Sequence, residues 1–203
     1  MTAILMLIAA LFFVLYMTNR EKGFLKTVYK CVPTACACIL AVYLALRGNA
    51  DAGKYLAVSG LALCVFADAV LEYTLIPGAA LFGAAHVCFI LYHIFTRSHG
   101  IACAACFVLV FTLLCLLFVR FKGDKPKQAP LWGFVLYAFL LALMTALSID
   151  GGPWLALGGL MFAFSDTVLF LRMFGKLSGR AYSWLLMGAY YLALFLIATG
   201  SCG

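Results

Sequence analysis

Along this chain apolar residues run in blocks of about twenty, the length that crosses a bilayer, and charged residues collect in the breaks. Eight blocks are predicted as helices, roughly Thr2–Thr18, Thr27–Leu46, Lys54–Tyr73, Gly78–Thr96, Ile101–Val119, Leu131–Ile149, Trp154–Phe174 and Tyr182–Thr199. With 203 residues there is room for eight spans and short loops, but for no separate soluble domain. The expected fold is therefore all-α: one polytopic transmembrane bundle over residues 1–203. The first run lacks a basic leader and a clear small-residue cleavage site. It is followed at once by Arg20, Glu21 and Lys22, and reads as a retained span. Pro33, Pro77, Pro126, Pro130 and Pro153 are placed near span ends, which favours a rigid bundle over the broken helices of a carrier.

Composition agrees with the pattern. Hydrophobic residues make up 67% of the chain and charged residues 10%, too few to clothe a soluble domain. The expected location is an integral, multi-pass position in a membrane, the inner membrane if the cell is bacterial. The net charge of +7 carries no recognition motif for nucleic acid, and none is expected as a partner. The charge instead orients the chain. Loops after spans 1, 3, 5 and 7 hold Arg20, Lys22, Lys26, Lys30, Arg120, Lys122, Lys125, Lys127, Arg172, Lys176 and Arg180. The other side holds Arg47, Lys54 and Arg97, so the odd loops are expected inside and both termini outside. Of nine cysteines, Cys103 and Cys106 form a lone C-x-x-C, and packing in apolar runs is the plainer reading for all but Cys202.

An internal repeat is visible. Gly60 to Leu71 and Gly158 to Leu169 share the pattern G-x5-F-x-D-x-V-L, 98 residues apart. This gives a four-plus-four organisation with halves of about 1–100 and 101–203, in the same orientation. Each copy brings an aspartate into a span, where an ionisable group costs at least ~2.5–3.5 kcal/mol and needs a partner or a task.

Asp68 and Asp166 both lie about 10 Å below the inner boundary at ~1.5 Å rise per residue. His86 and Tyr190 reach a similar depth from spans 4 and 8, so four helices bring polar groups to one level. Glu72 stands one turn from Asp68, where it either extends the site or is simply solvated. Tyr191 adjoins Tyr190, and Lys30 opens span 2 at a level where an ammonium meets lipid phosphate. Each has a plainer reading as an interhelical pairing carboxylate, a core histidine, an interfacial tyrosine or a positive-inside anchor. His93, with Asp68, Glu72 and Asp166, could assemble a metal site, but no E-x-x-H or H-E-x-x-H spacing supports one. No metal or cofactor is expected. His99 falls in a loop and reads as solvated.

Taken in order, these residues resemble the motifs of the lysoplasmalogenase (YhhN-like) family of vinyl-ether lipid hydrolases. Lys30-Cys31-Val32-Pro33 is similar to the family's K-x-x-P opening, and Phe66-Ala67-Asp68-Ala69-Val70-Leu71 resembles its G-D-x-x-L motif. His86 falls where the family places a histidine, Ser165-Asp166 with Leu169 resembles S-D-x-x-L, and Tyr190-Tyr191-Leu192-Ala193 resembles Y-Y-x-A-Q. Three positions depart: Ala67 stands for a glycine, Phe89 for a tyrosine and Leu194 for a glutamine.

The resemblance implies cleavage of lysoplasmalogens to a fatty aldehyde and a glycerophospho-base, with Asp68 and Asp166 catalytic. It leaves Lys30, His86, Tyr190, Tyr191 and Glu72 to bind the lysophospholipid or position water. Vinyl-ether hydrolysis starts with protonation of the alkene carbon distal to oxygen. Two carboxyls suit it as they suit glycoside hydrolysis, one giving a proton while the other activates water or stabilises the cation. A small proton-coupled carrier or lipid-binding protein is the alternative, since a repeat with mid-bundle carboxylates also fits one. Headgroup, chain preference and oligomeric state are left open.

Overall fold

A computed structural model describes residues 1–19, 23–48, 51–121 and 131–203. Arg20, Glu21, Lys22, Lys122, Lys125, Pro126, Lys127 and Pro130 lie outside the described residues. The helices are α1 (Thr2–Thr18), α2 (Phe24–Arg47), α3 (Ala52–Leu71), α4 (Leu75–Thr96), α5 (Ile101–Phe121), α6 (Leu131–Ile149), α7 (Pro153–Met173) and α8 (Arg180–Cys202). Seven of them, α2 to α8, are long and apolar enough to cross a membrane. At 17 residues, α1 is about 25 Å long and sits at the short end of what spans. The chain is a multi-pass membrane protein.

The expected boundaries hold within three residues. The shifts have local causes. Pro77 falls in the first turn of α4 and Pro153 opens α7, where a missing N–H costs nothing. Pro33 is a correction: it lies inside α2, nine residues past its start, and not near a span end. Its ring removes the hydrogen bond to the Tyr29 carbonyl and crowds that turn. The loosened turn is braced from outside, because the Tyr191 hydroxyl on α8 donates to the Lys30 carbonyl at 2.9 Å. α2 therefore continues unbroken, unlike a discontinuous carrier helix.

Packing follows burial. α8 is buried on most of its surface and contacts α7, α2, α3 and α1, so it is the central post of the bundle. In α5 only Cys103 is fully buried; the helix packs on α6 and leaves much of its apolar surface exposed. The two tightest pairings, α3 with α4 and α7 with α8, involve the repeat glycines. A Cβ at Gly60 would stand 2.6 Å from the Phe89 ring, and one at Gly158 3.3 Å from the Ala193 carbonyl oxygen. A bare backbone at both positions lets the following helix close in.

Candidate active site

Asp68 is buried on α3, with 1% of its surface exposed. Its Oδ2 accepts from the Thr34 hydroxyl of α2 at 2.5 Å and from the Tyr190 hydroxyl of α8 at 2.9 Å. Lys30 Nζ lies 3.9 Å from Asp68 Oδ1 and 3.9 Å from a Glu72 oxygen. Glu72, at the end of α3, also pairs with Lys26 at 3.2 Å. Lys26, Lys30 and Thr34 are four residues apart in turn and so share one face of α2. Two hydroxyl bonds to a carboxylate are worth about 1.5–3 kcal/mol each. Together they offset the ~2.5–3.5 kcal/mol cost of the intramembrane charge.

Asp166, on α7, is less tightly held. Its Oδ2 accepts one hydrogen bond, from the Tyr137 hydroxyl of α6 at 2.6 Å, and its side chain keeps 10% exposure. His86 Nε2 stands 4.0 Å from the same oxygen. The imidazole is completely buried, with Nδ1 2.6 Å from the Phe82 carbonyl. A carbonyl can only accept, so Nδ1 carries the hydrogen and Nε2 of the neutral ring presents a lone pair. Nε2 has no hydrogen-bond partner among the described residues. Two acceptors thus face each other at 4.0 Å.

The two sites are built crosswise. The second helix of each half, α2 or α6, gives a hydroxyl to the aspartate on its own third helix. The last helix of the opposite half, α8 or α4, brings Tyr190 to Asp68 and His86 to Asp166.

Both aspartates line one chamber of about 520 Å³, at the end of the bundle where α1, α3 and α7 finish and α2 and α8 start. Lys30 and Tyr190 also form its wall, and so do Lys26, Arg172 and Arg180. Asp166 additionally faces a second space of about 440 Å³, an apolar groove between α4, α6 and α7. Leu71, Phe82, Leu169 and Met173 border both spaces, so polar chamber and apolar groove meet at Asp166.

The remaining expected residues stand behind this wall. Tyr191 holds the backbone of α2 and His86 backs Asp166, while Glu72 ties Lys26 to Lys30. Thr34 and Tyr137 escaped the sequence reading, since a hydroxyl in an apolar run is common. The spacing of Thr34 one turn beyond Lys30 was the available signal. The three departures from the family motifs are all packing positions: Ala67, Phe89 and Leu194 are buried in the apolar core.

His93 does not approach the aspartates. It lies two turns beyond His86, towards the other end of α4, and its buried Nδ1 has no partner among the described residues. His99, although on an exposed loop, is tied down: Nδ1 is 3.7 Å from an Asp150 oxygen and Nε2 3.2 Å from the His93 carbonyl. Among the described residues, His99, Cys103 and Asp150 are the group whose donor atoms come within 4.8 Å of one another. They sit at the end of the bundle away from the chamber. All nine cysteines are free thiols.

Fold and chamber together define a polytopic helical membrane protein with two intramembrane carboxylates in the wall of one chamber, one of which also faces an apolar groove. The chain belongs to the YhhN family, whose model matches residues 25–201, and that family includes lysoplasmalogenases. No curated protein and no solved structure matches it.

Proposed function

We propose that this protein is a lysoplasmalogenase, hydrolysing the vinyl-ether bond of a single-chain alkenyl glycerophospholipid from the inner leaflet. The observation that carries this reading is the placement of Asp68 and Asp166 in one chamber wall, with Asp166 at the mouth of an apolar groove. A lipid whose polar half fills the chamber and whose chain fills the groove sets its vinyl-ether bond at that junction.

The aspartates then divide the work. Asp68 receives two hydroxyl hydrogens and faces an ammonium, donors that suit a carboxylate, which can only accept. Asp166 has one donor and faces the His86 lone pair, a setting that suits a carboxyl bearing a proton. Asp166 gives that proton to the alkene carbon distal to the ether oxygen. The positive charge that develops on the adjacent carbon and oxygen forms beside the Asp68 carboxylate. Water adds to the oxocarbenium carbon and leaves its extra proton on a carboxylate of the pair. The hemiacetal then breaks its bond to the glycerol oxygen, which leaves as the alcohol with one proton, and the aldehyde remains. One water is consumed and both carboxyls return to their starting state.

The test is direct. Purified protein in detergent is given an alkenyl lysophospholipid and, separately, its saturated alkyl counterpart. Aldehyde and glycerophospho-base should appear in equal amounts from the first and neither from the second. Turnover of neither lipid would overturn the reading.

A further inference from the structure

Four cations reach into the chamber: Lys26, Lys30, Arg172 and Arg180. Both lysines are matched by acids, since Glu72 pairs with each and Asp68 with Lys30. Neither arginine has a carboxylate partner among the described residues. Arg172 spends one N–H on Ser183, donating from Nη1 to Oγ at 2.8 Å, which fixes the guanidinium against α8 and leaves its other donors without a hydrogen-bond partner among the described residues. Arg180 is the first residue of α8 and exposed at the rim. Even with Asp68, Asp166 and Glu72 all ionised, these seven groups sum to one positive charge, the complement of a phosphodiester. Arg172 follows Asp166 by six residues, or ~9 Å along α7. The glycerol–phosphate linker and the reach of the arginine side chain together bridge that rise.

The groove completes the picture at the other side of Asp166. Ile76, Val87, Trp132 and Leu136 line it and are themselves 41–70% exposed, so its mouth opens onto the surface that meets bilayer hydrocarbon. Its floor includes Ala80, Gly83 and Ala84, small residues that leave space beside α4. Because groove and chamber share Asp166, one molecule can occupy both.

Resting on the hydrolase reading, we infer that Arg172 and Arg180 hold the phosphodiester of a lysophospholipid while its single chain lies in the α4/α6/α7 groove and leaves sideways into the membrane. This assigns substrate selection to residues outside the aspartate cluster. The two arginines select for phosphate, and Ala80 and Ala84 for a long chain.

Two substrate pairs test it. Wild type and an Arg172→Gln, Arg180→Gln double variant are compared on an alkenyl lysophospholipid and on the phosphate-free alkenylglycerol. The expected loss in kcat/KM is about tenfold or more per arginine for the phospholipid, the usual strength of a hydrogen-bonded charge pair, with little change for the alkenylglycerol. Ala84→Phe and Ala80→Phe, both on the exposed side of α4, should depress kcat/KM for a long chain and leave a short chain nearly unchanged. Equal losses within either pair would overturn the assignment. Binding of a non-cleavable alkyl lysophospholipid separates this inference from the reaction itself. If no alkenyl lipid is hydrolysed yet the same variants weaken that binding, the subsites stand and the chemistry falls. If binding is indifferent to all four substitutions, the subsites fall.

Discussion

Asp68 and Asp166 occupy matched places in the pattern G-x5-F-x-D-x-V-L, yet their surroundings differ. Asp68 is the more deeply buried, with two hydroxyls on one oxygen and Lys30 beside the other. Asp166 has, among the described residues, a single hydroxyl, an imidazole nitrogen without a hydrogen-bond partner opposite, and an open side toward both spaces. The contrast teaches how one repeated carboxyl comes to stand in two different settings. Each half supplies the same acid, and the crossing helix supplies a donor, Tyr190, in one case and an acceptor, His86, in the other. Two carboxyls with different settings are what an acid and its partner require.

Exchanging each acid for its amide is the strongest way to break this comparison. Asp166→Asn removes the transferable proton and should lower kcat by about 10³-fold or more, in the upper range for loss of a general acid. Asp68→Asn keeps an oxygen to accept from Thr34 and Tyr190 but loses the negative charge, and about 10²–10³-fold is expected. The amount of folded protein after size-exclusion chromatography should be unchanged for both. If the two losses came in the reverse order, the division of roles would be wrong even with the site intact.

Removing the hydroxyls sharpens the same comparison at smaller scale. Tyr190→Phe leaves Asp68 with Thr34 and Lys30, whereas Tyr137→Phe leaves Asp166 with no hydroxyl donor among the described residues. Each should reduce kcat by about tenfold, one lost hydrogen bond to a charged or reacting group, with the larger effect for Tyr137→Phe. KM should hardly move, since each hydroxyl is spent on its aspartate.

The smallest expected effect is on stability. At Gly78 a Cβ would lie 2.7 Å from the Leu71 Cα, so Gly78→Ala forces the α3–α4 turn apart. At Gly83 the nearest atom would be Leu140 Cδ1 at 3.7 Å, an ordinary contact. Gly78→Ala should cost about 1–3 kcal/mol and lower Tm by several degrees, while Gly83→Ala should leave it nearly unchanged.

Much of this was legible in the chain. Eight apolar runs gave the helices to within three residues, because a span needs a continuous apolar block. Asp68 and Asp166 stood out because an acid inside such a block is costly. Their partners did not: Thr34 and Tyr137 are ordinary in apolar helices until a carboxyl is known to face them. Pro33 was misplaced because sequence does not show that Tyr191 braces the turn it loosens. Arg172 and Arg180 were absorbed into the positive-inside count, which explains a basic residue near a boundary equally well whether it points to lipid or into a cavity.

The most direct measurement of the central claim follows hydrolysis of an alkenyl lysophospholipid in heavy water. The freshly released aldehyde is trapped and its mass read for wild type and for both Asp→Asn variants. A proton delivered from an exchangeable carboxyl to carbon puts one deuterium next to the carbonyl, and that product should be nearly absent from both variants. Aldehyde free of deuterium, or released at the wild-type rate by Asp166→Asn, would contradict it.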